Sequence, residues 1–326
     1  MPIHCRVTRG DFIESNHVVF AVAVNENGEI FYSTGDPDYF TCVRSALKPF
    51  QAAAAIKAGA IEAADFSDNH IALMCASHKG EEEHIKTALQ MLERLDLRVD
   101  DYECGAHYPS DKMTRWSMIK ERKNAIALHN NCSGKHAGML ALAKHLNNGT
   151  KNYTKKNHPV QKTIFSLLHQ YTGLDEIPTS IDGCSAPTPF MTLTNIARLF
   201  QKLGSNQYPE LEKAYQAMVK YPFLVSGSET FDTLFIEAMQ GRGITKIGGE
   251  SIRGITIKKV NGGSIGIALK VLDGNFRALS PATMKLLEYL QLLKENEMSR
   301  LKKFGSKNLK NHNNINIGQI EAVLYE

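Results

Sequence analysis

A hydroxyl and an amine stand three residues apart in the run Arg-Ser-Ala-Leu-Lys-Pro-Phe that ends at Phe50. At this spacing Ser45 and Lys48 share one face of a helix, so a neutral Lys48 amine could take the Ser45 proton. Pro49 is tolerated only in the first helical turn, which places Ser45 at a helix start. There the helix dipole disfavours an ammonium and favours an oxyanion. The local setting therefore favours nucleophilic catalysis by Ser45.

The spacing alone is weak support, because the chain contains two further Ser-x-x-Lys runs. These run from Ser117 to Lys120 and from Ser299 to Lys302. The second lies in a charged segment and has no proline-marked helix start. Context, and not the four-residue spacing, singles out Ser45.

Composition places the chain among ordinary globular proteins and excludes several functions. It has 326 residues, of which 43% are hydrophobic and 22% charged, and its net charge of +4 is small for that length. The chain has neither a basic stripe with interleaved aromatic residues nor an apolar run long enough to span a bilayer. The first residues lack the pattern of a signal peptide. We therefore expect a cytoplasmic protein without nucleic-acid or membrane partners, whose six scattered cysteines stay reduced.

Periodicity predicts an α+β fold. Strand-like runs at 18–24 and 29–33 flank a turn at 25–28, and runs at 252–260 and 264–272 flank a turn at 261–263. Between these hairpins, helical periodicity marks residues 81–95, 136–146, 159–171, 193–203, 209–219, 231–239 and, after the second hairpin, 281–293. We expect one domain, 1–326, in which the terminal hairpins form an antiparallel sheet and a helical subdomain of roughly 45–240 is inserted. Residues 302–314 are expected to form a polar surface loop before a last strand-like run at 315–325.

Four more segments combine small residues, turn formers and reactive groups. Ser77 is either a second active-site hydroxyl or a turn residue that caps the next helix, and the sequence leaves both open. The segment 129–138 is a polar loop that leads straight into a helix, and 182–189 is rich in turn formers. Lys246 is followed two residues later by Gly248, and such a strand lets a substrate approach the backbone closely.

Cys132 and Cys184 suggest a metal site, although two thiolates are fewer ligands than a tetrahedral structural zinc site needs. Lys135 or His136 would have to complete the site. From the residues alone, two buried free thiols are the simpler interpretation.

Taken together, the segments resemble one family. In chain order, the motifs of the rhizobial-type L-asparaginases are matched by residues 44–51, 75–78, 129–138, 182–187 and 268–275. The resemblance spans roughly residues 5–326 and is most specific in the run His-Asn-Asn-Cys-Ser-Gly-Lys-His. It implies a fold similar to those of serine β-lactamases and glutaminases, and it also implies a homodimer without an organic cofactor.

The resemblance also implies roles for individual residues. Ser45 would be the nucleophile and Lys48 its partner, with Ser77 and Lys246 as a second hydroxyl and amine pair. In addition, zinc would be held by Cys132, Lys135 and Cys184, and a lysine can bind a metal only as the neutral amine. Candidates to bind the substrate's α-carboxylate and α-amine are Arg44, Asp182 and His136.

The chain departs from the family pattern at two places. Where the family usually has Gly-Ala-Glu-Gly, this chain has Gly-Gly-Glu-Ser at 248–251, and an arginine of the family is replaced by Thr230. The expected activity is hydrolysis of the side-chain amide of L-asparagine through an acyl-enzyme on Ser45. The alternatives are a glutaminase, a β-lactam-acylating relative, or a catalytically silent zinc-binding or sensing protein of the same fold. One methylene separates glutamine from asparagine, and the sequence does not resolve that difference.

Overall fold

The structure is a computed structural model that describes residues 1–260 and 262–325. Its strands, in chain order, are β1 (Ile3–Arg9), β2 (Phe12–Val24), β3 (Ile30–Thr34), β4 (Phe40–Cys42), β5 (Thr179–Ile181), β6 (Pro187–Thr192), β7 (Gly243–Gly248), β8 (Ile252–Lys258), β9 (Ser264–Val271), β10 (Lys307–Lys310) and β11 (Asn316–Val323).

The helices are α1 (Lys48–Lys57), α2 (Ala60–Ala63), α3 (Asp68–Met74), α4 (Glu82–Arg94), α5 (Lys112–Lys120), α6 (Ser133–His145), α7 (Pro159–Thr172), α8 (Leu193–Leu203), α9 (Pro209–Lys220), α10 (Pro222–Ser226), α11 (Phe231–Met239), α12 (Phe276–Tyr289) and α13 (Glu295–Leu301). Short 3₁₀ turns cover Arg44–Leu47, Val99–Asp101, Ala127–His129 and Lys302–Phe304.

The chain divides into two compact units. One consists of 1–46, 191–205 and 234–326, and the other of 47–190 and 206–233. We call the first the sheet unit and the second the helical unit.

The sheet unit contains an antiparallel sheet in the order β10-β11-β1-β2-β9-β8-β7, with β3 paired to β2 beside this path. Strands from both ends of the chain are therefore neighbours, because β2 pairs with β9 from Val19 opposite Val271 to Val24 opposite Gly266. The predicted α+β fold with one antiparallel sheet from the terminal hairpins is confirmed. Of the second hairpin's turn, Asn261 lies outside the described residues.

Two helices cover opposite faces of this sheet. A side chain at Gly254 would collide with Phe200 of α8, so the glycine lets that helix pack close to β8. The preceding residue, Arg253, reaches the hydroxyl of Thr283 on α12. Because successive strand residues point to opposite faces, α8 and α12 bury the two sides of the sheet.

The helical unit is built around α6, which is buried from Ser133 to Ala143 and packs against α1, α2, α3, α4 and α7. Glycine makes the closest approach possible: a Cβ at Gly134 would lie 2.2 Å from the Leu73 carbonyl oxygen of α3. Gly138, one turn later, faces Met74 in the same way. The polar segment that ends in Gly138 is therefore fixed against α3 by its glycines.

Two predicted elements near the carboxyl end were wrong. The helix predicted to start at Pro281 begins at Phe276, because Asn275 caps it by accepting the Arg277 N–H, and Pro281 lies inside the helix. The predicted loop 302–314 contains β10, which pairs with β11. Its polar side chains suit an exposed edge strand, whose partner only the folded chain reveals.

Within the described residues, every helix is too short or too polar to cross a lipid bilayer.

Candidate active site

Lys48 is the first residue of α1, and its side chain is 1% exposed. Pro49 follows it in the first turn, as the sequence predicts. The Lys48 amine lies 2.5 Å from the carbonyl oxygen of Ala76, 3.1 Å from that of Asn131 and 3.1 Å from Ser77 Oγ. A buried amine thus has two carbonyl acceptors and one hydroxyl within hydrogen-bond reach.

This set of neighbours suits a proton acceptor. A neutral amine has two N–H bonds and one lone pair, and the two carbonyls of Ala76 and Asn131 can accept both N–H bonds. The lone pair is then left for a hydroxyl proton. In the charged form, Lys48 would donate its third proton to Ser77 Oγ instead. The geometry therefore accommodates both protonation states without moving the side chain.

Ser77 follows α3 and is partly exposed. Its backbone N–H donates to the Val225 carbonyl at 3.0 Å, which fixes the loop from the far side. The next residue, His78, accepts the Gly80 N–H at Nδ1, so its proton is on Nε2 and is donated to Ser133 Oγ at 2.9 Å. Burial lowers the pKa of His78 well below its usual value, so the ring is neutral. Sequence reasoning had not assigned a role to His78 or Ser133.

The Ser77 loop is also tied to the segment after α10. Lys79 Nζ lies 3.3 Å from both the carbonyl oxygen and Oγ of Ser228, and Ser228 Oγ donates to Glu81. Gly227 has a φ of +94°, and a Cβ there would lie 2.9 Å from the Lys79 side chain. Thr230, where the related family has arginine, accepts the Thr233 N–H at 3.3 Å at the start of α11. Thr230 therefore acts as a helix cap here.

The three residues predicted to bind zinc are in one cluster in the helical unit. The Lys135 amine lies 2.8 Å from Cys184 Sγ, and the thiols of Cys132 and Cys184 are hydrogen-bonded to each other. All three side chains are at least 96% buried, with exposures of 4%, 4% and 3% for Cys132, Lys135 and Cys184. From the residues alone, either Lys135 or His136 could have joined the two cysteines, and the resemblance selected Lys135.

Charges in this cluster are strongly coupled. The hydrogen bond from the Cys184 thiol, helped by the charges of Lys48 and Lys135, holds the pKa of Cys132 well below its usual value. The same hydrogen bond and burial raise the pKa of Cys184. Burial alone would lower the pKa of Lys135, but the neighbouring Cys132 and Cys184 sulfurs raise it.

The cluster offers two soft sulfur donors and one nitrogen donor. This donor set suits a zinc ion, with a fourth coordination position left for water or substrate. Coordination would require Cys184 and Lys135 to lose their protons. In residues 1–260 and 262–325, no group of three or more His, Cys, Asp or Glu side chains could hold a metal.

The other predicted residues of the helical unit have separate surroundings. Asp182 begins the turn between β5 and β6, where its N–H donates to the Ala186 carbonyl, and this turn carries Cys184. Asp182 remains partly exposed. His136 is fully buried on α6, with Nδ1 2.7 Å from the Tyr153 hydroxyl. Of these two, Asp182 is the one that a solute can reach.

In the sheet unit, Arg44 and Ser45 lie in the 3₁₀ turn that leads into α1, so the predicted helix start is confirmed. Both are partly exposed, and Arg44 has a φ of +52°, a left-handed conformation that costs free energy for a side chain other than glycine. Such strain at an accessible residue beside a serine is typical of functional sites.

Lys246 is fully buried on β7 and donates to the Ile247 carbonyl at 2.9 Å. Gly248 ends the strand, but the space left by its missing side chain is taken by the chain itself. A Cβ there would lie 2.8 Å from the Val43 carbonyl oxygen and 3.1 Å from the Ala46 nitrogen. The glycine thus brings β7 against the backbone that carries Ser45, whereas the sequence had suggested that a substrate uses this space.

Comparison with known proteins identifies the family. Among curated protein sequences, none matches the chain. A solved structure of a PBP-A mutant, an acyl-enzyme complex with penicillin G, is 12% identical with a TM-score of 0.39, over 89% of this chain and 90% of that chain. A structure of Mglu in its tris and glutamate form is 15% identical with a TM-score of 0.36, over 84% of this chain and 59% of that chain. The match to Mglu therefore spans less than two thirds of that protein.

The model of the family described as L-asparaginase II matches residues 5–322. This match supports an amidohydrolase that acts on a small molecule. Because the match covers nearly the whole sequence, the chain belongs to the L-asparaginase II family.

Proposed function

We propose that the protein hydrolyses the side-chain amide of L-asparagine to L-aspartate and ammonia through an acyl-enzyme on Ser45. The observation that carries this proposal is the buried Lys48 amine, with two carbonyl acceptors and the Ser77 hydroxyl at 3.1 Å. Family membership supports the same class of reaction.

The first half of the proposed reaction forms an ester. Ser45 Oγ attacks the amide carbon while its proton passes to the Lys48 amine, and the carbonyl oxygen becomes an oxyanion. Backbone N–H groups at the start of the helical run after Ser45 stabilise that oxyanion. The intermediate then collapses: the C–N bond breaks, the nitrogen takes a proton, and ammonia leaves. The Lys48 ammonium supplies this proton through the Ser77 hydroxyl, 3.1 Å away, and Lys246 is the proposed amine partner of that hydroxyl.

The second half is the reverse sequence with water. A water molecule loses a proton to the Lys48 amine, which is neutral again, and attacks the ester carbon, and the C–O bond to Ser45 breaks as Oγ takes that proton back from Lys48. L-Aspartate is released. Arg44 and Asp182, both accessible, are the proposed partners of the substrate's α-carboxylate and α-amine, whereas His136, the third candidate, is fully buried.

An ammonia-release assay with asparagine, glutamine and no substrate tests the proposal most directly. We expect release with asparagine, and mass spectrometry of a quenched reaction should find an aspartyl group on the peptide that contains Ser45. Faster release with glutamine would assign the enzyme as a glutaminase. No release with either amide would favour a silent zinc-binding or sensing protein.

We also propose that Cys132, Lys135 and Cys184 hold a zinc ion. The convergence of two buried thiols and an amine supports this assignment. When bound, zinc would act as a Lewis acid beside the pocket and order the segments that carry its ligands. Elemental analysis of protein prepared without added metal should find about one zinc per chain; protein without zinc would contradict the assignment.

The resemblance also supports a cytoplasmic homodimer in which 1–326 is one functional domain. Light scattering of the purified protein measures the mass in solution directly. A mass equal to that of one chain would contradict the dimer.

A further inference from the structure

Asn130 is a buried asparagine, 5% exposed, in the polar loop before α6. Its amide nitrogen donates to the carbonyl oxygens of Cys104 at 2.9 Å and Gly105 at 3.2 Å. Its Oδ1 accepts the Cys132 N–H at 2.9 Å. Two carbonyls require a donor and an N–H requires an acceptor, so these partners fix which end of the amide faces which neighbour. The side chain is therefore a rigid link between the segment at 104–105 and the loop.

The Cys132 N–H belongs to the same peptide unit as the Asn131 carbonyl, which accepts the Lys48 amine at 3.1 Å. One planar amide thus has Asn130 Oδ1 at its N–H and Lys48 at its carbonyl oxygen. Because the unit is planar, a rotation that broke the first hydrogen bond would also turn the carbonyl away from the amine. The two hydrogen bonds also polarise the amide in the same direction, so each strengthens the other.

The second carbonyl acceptor of Lys48 is held by the backbone instead. The Ala76 carbonyl and the Ser77 N–H form one peptide unit, and this N–H donates to the Val225 carbonyl at 3.0 Å. A change of side chain does not remove that hydrogen bond. Asn130 is therefore the position at which a substitution can release one acceptor of the amine while Lys48 itself and its hydroxyl neighbour stay unchanged.

We infer that Asn130 positions the Lys48 amine for proton transfer, because it fixes the peptide unit whose carbonyl the amine contacts. With both N–H bonds of a neutral amine on fixed carbonyls, the lone pair has one remaining direction. Asn130 is a positioning residue: it acts through that carbonyl and touches no reacting atom. The inference rests on the proposed function, in which Lys48 takes the Ser45 proton.

Asn130→Ala and Asn130→Ser form a matched pair for the test. Both lose the donation to the carbonyls at 104–105, but a serine hydroxyl can still accept the N–H two residues on. We expect kcat for asparagine to fall about 10–100-fold in Asn130→Ala. In Asn130→Ser, kcat should be about fivefold higher than in the alanine variant. KM should stay within about twofold in both, because the residue acts on the proton acceptor and does not contact the substrate.

Two results would overturn the inference: an alanine variant with the wild-type kcat, or equal kcat in the alanine and serine variants. Both variants should fold, because the loop keeps other hydrogen bonds. The Asn130 carbonyl accepts the Ser133 N–H at 2.9 Å, and His107 Nε2 accepts the Asn131 N–H at 3.0 Å.

Asn311→Ala is the matched control. Asn311 Oδ1 also accepts the N–H two residues on, that of Asn313 at 3.0 Å, but in a turn of the sheet unit. This variant should have the wild-type kcat and KM. All rates are compared at equal zinc content per chain, because Cys132 is a proposed zinc ligand.

A double-variant cycle separates positioning from a general loss of stability. In a Lys48→Arg background, Asn130→Ala should change the remaining rate by less than about twofold, because the amine that it positions is absent. A merely structural Asn130 would lower the rate by the same factor in both backgrounds, and that result would contradict the inference.

Labelling of Ser45 by a fluorophosphonate gives a readout that does not depend on amide hydrolysis. Oγ displaces fluoride from phosphorus while its proton passes to Lys48. If the wild type hydrolyses no amide but is labelled, and Asn130→Ala is labelled more slowly than Asn130→Ser, the inference stands and the proposed function fails. If the wild type hydrolyses asparagine and Asn130→Ala does so at the same rate, the proposed function stands and the inference fails. A wild type that neither hydrolyses amides nor is labelled would overturn both.

Discussion

Two buried lysines in the helical unit, Lys48 and Lys135, occupy similar places but have different neighbours. Each lies in the first turn of its helix, Lys48 in α1 and Lys135 in α6, and their exposures are 1% and 4%. Both amines lie near the sulfur of Cys132, but the Lys48 amine also faces two carbonyl oxygens and a hydroxyl, whereas the Lys135 amine lies 2.8 Å from the Cys184 thiol. Burial and helix position are therefore shared, and the oxygen acceptors of Lys48 distinguish the two amines.

The difference indicates that the acceptors set the chemistry of each amine. Neutral carbonyls can hold an amine in place in either protonation state, which suits a group that takes and returns a proton. Sulfurs that carry negative charge raise the pKa of Lys135 and keep it protonated until a metal displaces the proton. We therefore expect the same substitution to have different effects at the two positions.

The largest effects should come from Lys48→Arg and Ser45→Ala. An arginine stays charged and cannot accept the Ser45 proton, so the rate should fall by about 10²–10⁴-fold while circular dichroism stays close to wild type. Ser45→Ala should abolish acyl-enzyme formation, because it removes the proposed acceptor oxygen. If the Lys48→Arg enzyme kept most of the wild-type rate, Lys48 would be a structural residue that takes no part in proton transfer.

Ser77→Ala and Lys246→Met test whether a second hydroxyl and amine work as one unit. Each change should lower kcat strongly, and the double variant should lose less than the product of the two single losses. Steady-state ammonia release measures all four enzymes of the cycle. Multiplicative losses would mean that the two groups serve separate steps.

Lys135→Arg is the matched substitution for Lys48→Arg, and its main effect should be on metal content. A guanidinium retains the charge beside the thiols but does not ligate zinc, so elemental analysis should find less zinc than in wild type. Cys184→Ser should have the same result through loss of a thiolate. Wild-type protein depleted by a chelator should melt at a lower temperature. Full zinc content in both variants would show that the metal binds elsewhere.

How much of this site the sequence predicts depends on how local each feature is. The helix start at Ser45 and the hairpin of β2 and β3 follow from neighbouring residues, namely Pro49 and a turn-forming tetrapeptide. The contact between Lys48 and Ser77 joins residues 29 apart and depends on how α3 packs on α6 through Gly134. The periodicity of hydrophobic residues does not predict this close packing of α3 on α6.

The same reasoning explains what sequence analysis missed. The edge strand β10 consists of lysine, asparagine and leucine, a composition that local rules read as a loop, and it becomes a strand only beside β11. Pro281 was placed at a helix start because proline usually stands there, but the cap is Asn275.

The smallest expected effect concerns His78, which lies beside Ser77 and helps to fix it. The pKa of His78 is well below the usual value because the ring is buried. Below about pH 6.5 the histidine is therefore protonated in the unfolded chain but stays neutral in the folded protein. This contribution to stability is fully present above pH 6.5 and is lost as the pH falls below that value. In wild type, the free energy of unfolding should thus fall by about 1.4 kcal/mol per pH unit for this one group.

His78→Gln removes the titration but can keep a donor for Ser133 Oγ, so urea unfolding at pH 7.5 and pH 5.5 should show a smaller difference than in wild type. The exposed His312→Gln serves as the control and should leave the pH dependence as it is. The other buried histidines remain in both proteins, so only the difference between the two slopes reports on His78. An equal slope in His78→Gln and wild type would mean that His78 titrates normally, and that the loop carrying Ser77 is open to water.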